Sequence, residues 1–402
     1  MKKSFLVCLL VFSFNATLDA QSNTQLIKAT NQFLQTLSDA EMGKTIYAFN
    51  DPARLKWTNL PVGMEARPGI QYGSLSDKSR LAYHRVLSAL LSSQGYLKTT
   101  SIMQLDDILN MLYQQAFDDG KITDKTLKGM QNLKWAHGNY YIAIFGKPAN
   151  NEPWGLNFGG HHMALSMTSD GKKISMSPYF IGTDPSEVKS GKYAGLRILS
   201  KEEDLGFMLV QSMSAQQKAL GVLNRAVPKD IITNPKSSQR IDSNYGIQAK
   251  QFTKDQKEIL QLLIQEFVHN FEHEKAHQLM DKIIKSGIEK IYFAWIGSLE
   301  NNKPHYYILN GPDFLIEYDN VGFSNDGNHI HAILREKGND FGADILKQHY
   351  QDSKQFGNQA FVQTIDRFPD HGIVSLRISR STSVADDNNT ELLFRMKIHG
   401  AE

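Results

Sequence analysis

Apolar residues along this chain change spacing several times. Leu26, Ile27, Phe33, Leu34 and Leu37 recur at helical intervals, so residues 22–42 read as a helix. Residues 50–73 carry Trp57 among prolines and glycines and read as a loop. Residues 74–93 return to helical spacing, with Ser74 and Ser76 as candidate caps. Leu81, Val86, Leu87, Leu90 and Leu91 would form its apolar stripe. Residues 99–118 continue the helical theme. From 139 to 180 the pattern becomes short alternating runs (NYYIAIFG, PWGLNFG, HHMALSM, KKISMSP) cut by Gly, Asn, Pro and Asp-Gly turn signals. That is the signature of an antiparallel meander. Helical spacing resumes at 200–223, with Ser200 as a cap and Glu203 three residues on, and again over 253–286. Strands return over 288–334, and a helix closes at 341–350. GIVSLRISR and ELLFRMKIHG then alternate with period two and predict a C-terminal β-hairpin extension over residues 351–402.

A shift of 151 residues places YIAIFGKPANNEPWGLNFGGHHMALSM on YFAWIGSLENNKPHYYILNGPDFLIEY without a gap. Tyr141, Ala143, Gly146, Asn150, Asn151, Pro153 and Gly160 meet Tyr292, Ala294, Gly297, Asn301, Asn302, Pro304 and Gly311. The matches fall on turn residues, where backbone geometry restricts the choice most. The expected fold is therefore α+β. Two pseudo-symmetric helix/antiparallel-meander repeats, about residues 121–223 and 253–350, pack together behind a helical N-terminal part.

Composition narrows the chemistry. The chain has 402 residues, a formal charge of +2, and one cysteine, Cys8. Lys2 and Lys3, an apolar run from Phe5 to Phe14 and a small polar stretch to Ala20 have the order of a secretory signal peptide, cut near Ala20. About ten apolar residues are too few for a span of roughly 20. Residues 1–20 are thus expected to direct export to the periplasm or beyond, with no membrane span. The mature chain would keep no cysteine, which removes thiol catalysis and a disulfide framework. Its charge would be near neutral, so no nucleic-acid partner is expected.

The remaining chemistry rests on histidine. His329 and His331 in NHIHAILRE lie two apart on a predicted strand, so both face one side with Arg335. Glu317 and Asp319 share a face of the preceding strand, which sets a carboxylate beside them. His161 and His162 follow Gly159 and Gly160 on the matching meander of the other half. The candidate metal ligands are His161, His162, His329, His331 and Glu317, a set that suits zinc, iron, manganese or copper. Glu317 and Arg335 are the candidate catalytic residues, and Trp154, Tyr306 and Arg335 the candidate substrate contacts. His269, His273 and His277 lie at i, i+4, i+8. His273, Glu274 and His277 spell HExxH, the helical zinc-protease spacing. No HxxGxxH continuation follows, and a solvated helix face explains the run equally. GxSxG, GxxxxGK[ST] and a strand–helix GxGxxG are all absent.

PWGLNFGGHHMALSM, GTDPSEV…GKYAG and above all NGPDFLIEYDN…NHIHAILREKGNDFGADILKQHY carry a family likeness. The chain resembles the exported bacterial family known as domain of unknown function DUF3500, from about Thr24 to Tyr350. LKW at Trp57, LLSSQGY at Tyr96 and FAWIG at Phe293 extend it. The motif positions matched here include His161, His162, Gly311, Pro312, Glu317, Asp319, His329, His331, Arg335 and Asp340. Glu336 stands where the family pattern has Asp. The resemblance implies export and a DUF3500-like domain over residues 21–350, and supplies no reaction. Two functions follow from the residues: a hydrolytic or oxygen-activating metalloenzyme with a His/Glu site, or a non-catalytic exported binder of a small anionic, sugar or peptide ligand.

Overall fold

The computed structural model describes residues 23–237, 241, 243–322 and 324–356, and the strands at 360–367, 373–381 and 392–397. The signal-peptide expectation lies outside these residues. Contacts divide the chain into two compact units at Ile345–Leu346.

The larger unit alternates helices and strands, as its spacing predicts. Its helices are α1 (residues 23–34), α2 (Asp39–Thr45), α3 (Asp77–Leu90), α4 (Ser93–Asp118), α5 (Asp124–Gln131), α6 (Ser200–Gln211), α7 (Ala215–Gly221), α8 (Lys254–Val268) and α9 (His273–Ser286). A tenth, α10 (Ala343–Phe356), crosses the division. The strands are β1 (Ile46–Tyr47), β2 (Ile70–Gln71), β3 (Tyr141–Phe145), β4 (Trp154–Gly159), β5 (Met163–Ser169), β6 (Ile174–Ser175), β7 (Tyr179–Thr183), β8 (Val222–Leu223), β9 (Ile247–Gln248), β10 (Tyr292–Gly297), β11 (His305–Asn310), β12 (Phe314–Asp319) and β13 (Ile330–Glu336).

Hydroxyl caps set several helix starts. Ser76 accepts from Ser79 N and Ser92 from Gly95 N, while Thr253 and Gln256 form a reciprocal box. Three expectations need correction. Ser200 is the first residue of α6, not its cap, and Glu203 instead receives Arg197 at 2.8 Å. The stretches 200–223 and 253–286 each break into two helices, because Ser214 and Glu272 start new ones. Leu81 faces solvent, since the buried stripe of α3 runs through Ala82, Tyr83, Val86, Leu87 and Leu90.

All thirteen strands join one mixed sheet in the order β1-β3-β4-β5-β7-β13-β12-β11-β10-β8. β2 lies beside β3, β6 beside β5 and β9 beside β10. The two meanders meet at β7 and β13, which pair antiparallel with Ile181 opposite Ala332. One face carries Trp295, Tyr307, Ile316, Tyr318 and Leu334 into a large core shared with Phe207, Leu260 and Leu263 of the helices. Loop residues cover the other face. Ile232 and Ile241 pack on Ala294, Tyr306 and Leu315, and Trp57 packs on Phe180, Ile231 and Ile333. Among the described residues no helix is long and apolar enough to cross a membrane. In the second unit, β14 (Ala360–Arg367), β15 (Ile373–Ser381) and β16 (Leu392–Lys397) form an antiparallel sheet in that order. The Asp-Asp-Asn-Asn turn expected between β15 and β16 lies outside the described residues.

His305 ties the helix-side core to pH. Its buried ring stacks 4.6 Å from Trp295 and 5.4 Å from Tyr318. Nδ1 lies 3.0 Å from the Lys303 carbonyl, and Nε2 has no partner. Burial pushes this imidazole down to about 4 from its ordinary 6.5. A depressed histidine contributes stability that is complete above its unfolded value and is lost as pH falls from 6.5 towards 4. Between about pH 7 and pH 4 the native chain should lose about 3 kcal/mol more than a His305→Phe chain. Urea midpoints at the two pH values check this.

Candidate metal centre

The sheet order sends four strand ends to one edge. β5 begins there and β7 ends there, β13 begins beside it, and β12 ends next to that. His161 and His162 occupy the turn before β5. Arg67 holds that turn by donating to the Gly160 carbonyl at 2.6 Å, and also to the carbonyls of Leu60 and Glu65. A Cβ at Gly160 would stand 2.5 Å from the Tyr140 ring, so the turn needs glycine. Gly182, on β7, lies opposite His331. A Cβ there would meet His162 Cδ2 at 2.9 Å and His331 Cδ2 at 3.2 Å, so its absence lets two imidazoles close over the strand.

Three imidazoles converge in that space. His162 Nε2 lies 2.9 Å from His329 Nε2, which lies 3.1 Å from His331 Nε2. His331 Nδ1 faces Asp230 Oδ1 at 2.8 Å, and His329 Nδ1 faces Asp184 Oδ2 at 3.4 Å. Asn59 donates to both oxygens of Asp230, at 3.2 and 2.9 Å. A carboxylate at Nδ1 fixes the proton on that nitrogen. His329 and His331 therefore turn their Nε2 atoms towards each other. Zinc–nitrogen bonds of about 2.0–2.1 Å in a tetrahedron set nitrogens about 3.3 Å apart, close to what is seen.

Burial pushes His162 and His329 well below the usual histidine range, and the neighbouring imidazoles add to this. Both stay neutral, which is the metal-binding form. For His331 burial acts the same way, yet the hydrogen bond and charge of Asp230, with Asp319 and Asp184, outweigh it, and the net shift is upward. Burial raises Asp184 and Asp319 to about 7 each. Solvent reaches the cluster past Asp184 and Asp230, whose side chains are 22% and 29% exposed.

The other sequence candidates lie at varying distances from this cluster. His161 packs its ring 3.5 Å from that of His162 and pairs with a different carboxylate. Its Nδ1 lies 3.0 Å from Asp106 Oδ1 on α4, and Tyr140 donates to the other Asp106 oxygen at 3.0 Å. Glu317 is not beside the histidines. It accepts from Ile232 N at 2.6 Å, Thr233 N at 3.1 Å and Tyr306 at 2.8 Å, and so pins the loop that presents Asp230. Asp319, two residues on, is the carboxylate opposite His331. Arg335 donates to Thr233 and Asp340 and lies over Trp57, on the wall of a cavity of about 680 Å³. Trp154 is fully buried in the helix-side core, and Tyr306 is buried on the opposite face. The HExxH run does not form one helical stripe with His269. His269 caps α8, α9 begins at His273, and all three histidines are exposed.

Asp106, Asp184 and Asp230 had no place in the sequence reading. Asp184 stands in the GTDPSEV motif, which was a usable signal, whereas Asp106 and Asp230 carry none. The model of the family described as protein of unknown function (DUF3500) matches residues 19–343. The chain belongs to the DUF3500 family. No curated protein and no solved structure matches it. In this DUF3500 protein the matched stretch contains every histidine and carboxylate of the cluster.

Proposed function

We propose that this DUF3500 protein is an exported metalloenzyme whose divalent ion is held by His162, His329 and His331. One observation carries the reading. Nε2 of His329 lies 2.9 Å from that of His162 and 3.1 Å from that of His331, and a carboxylate stands at Nδ1 of both His329 and His331, an arrangement in which one cation can take all three Nε2 atoms. Three imidazole ligands suit zinc, copper or iron and leave a position where the ion acts as a Lewis acid. That position opens towards Asp184 and Asp230, so a substrate approaches from their side. Hydrolysis and oxygen activation both fit such a centre.

The protein purified without affinity tag or chelator should carry at least about one divalent ion per chain, counted by elemental analysis. Protein that comes without metal and takes up none holds a shared proton between His329 and His331 instead, and the reading fails. A second reading, a non-catalytic binder of a small anion, is favoured by the cavity near Arg335, which Lys56, Lys236 and Lys337 also line.

The asymmetry of the centre fits a duplicated chain. Ile70–Gln71 and Ile247–Gln248 each pair with the first strand of a meander and lead through a short turn into a helix. The proposed ligands come from both halves, His162 from the first and His329 and His331 from the second.

A further inference from the structure

We infer that Asp230, Asp319 and His331 hold a second divalent cation, bridged to the first by the His331 imidazole. The inference rests on the three-histidine reading. Asp319 is fully buried. One of its oxygens accepts from Val321 N at 3.1 Å, while Oδ2 has no hydrogen-bond partner. A buried carboxylate oxygen without a donor is costly, and a cation relieves that cost. Strand register sets Asp319 across from His331 on the loop-covered face. Asp230 reaches the same ring nitrogen from the loop after β8, at 2.8 Å. One ligand atom from each of the three lies within 4.8 Å of the others.

His331 has two ring nitrogens and uses them in different directions. Nε2 points to His329, and Nδ1 points to Asp230. The first ion takes Nε2. The second takes Nδ1, whose proton leaves to solvent as the metal–nitrogen bond forms, together with one oxygen from each carboxylate. Two carboxylates and one nitrogen suit manganese, iron or zinc.

Metal-free full-length protein titrated with Co²⁺, followed by visible absorption and calorimetry, should take two equivalents per chain. Asp319→Asn should take one, with the first equivalent retained. The Cu²⁺-loaded protein should lose most of its paramagnetic resonance signal through exchange across the imidazole, and Asp319→Asn should regain it. Native protein that saturates at one equivalent overturns the second site and leaves the three-histidine centre standing. Two equivalents with a full, uncoupled copper signal, or a second equivalent lost in His273→Ala, puts that ion elsewhere and also overturns it. Zero equivalents would sink both proposals.

Discussion

His329→Ala should empty the three-histidine site and lower the metal content by about one ion per chain. His329 is the middle member of the cluster, within 3.1 Å of both His162 and His331 at Nε2. Losing even an outer partner of a metal-bound histidine costs about 10–100-fold in affinity. Removing a ligand costs more, and the two nitrogens left behind cannot close the site. His273→Ala, on the exposed face of α9, should keep its metal. Elemental analysis of the two variants, purified side by side without tag, settles the assignment. Metal retained in His329→Ala and lost in His273→Ala would transfer the centre to the HExxH run. Circular dichroism on both excludes simple unfolding as the cause.

Lys98→Ala should destabilise the fold by about 3–5 kcal/mol. Lys98, on α4, reaches Glu202 of α6 at 2.7 Å and Glu266 of α8 at 2.6 Å, so one ammonium ties three helices together. Glu202 is fully buried, and its second oxygen has no hydrogen-bond partner. Without Lys98 two carboxylates face each other with no cation between them. The signature is a lower urea midpoint with an unchanged slope. Its pH dependence separates it from a packing defect. Burial raises the Glu202 carboxyl above 4.5, and Lys98 opposes that shift. A raised carboxyl contributes most below its unfolded value, and the contribution is lost as pH rises through the folded one. Taking Lys98 away raises it further. The deficit should therefore be largest near about pH 8 and shrink towards about pH 5. A deficit equal at both would mean that lost side-chain packing explains the effect.

The helices and strands were largely legible because each depends on local spacing. Alternation in HHMALSM and NHIHAILRE marks β5 and β13, and of the caps read from sequence neighbours Ser76 holds while Ser74 and Ser200 do not. Helix breaks were less legible, since HNFEHE has the periodicity of one helix yet turns at Asn270 and Phe271. Glu317 shows the limit for the site. Its face was right, because strand period two fixes it. Its partner was not, because the loop at Ile232 and Thr233 reaches it before any histidine does.

By itself the sequence determined that His329 and His331 share one strand face and that His161 and His162 follow two glycines within a meander. Both follow from backbone geometry within a few residues. Only the tertiary structure decided that His162 meets His329 across 167 positions, and that Asp184 and Asp230 stand behind the rings. That meeting depends on β7 pairing with β13, which side-chain burial over the whole sheet selects and no local pattern records.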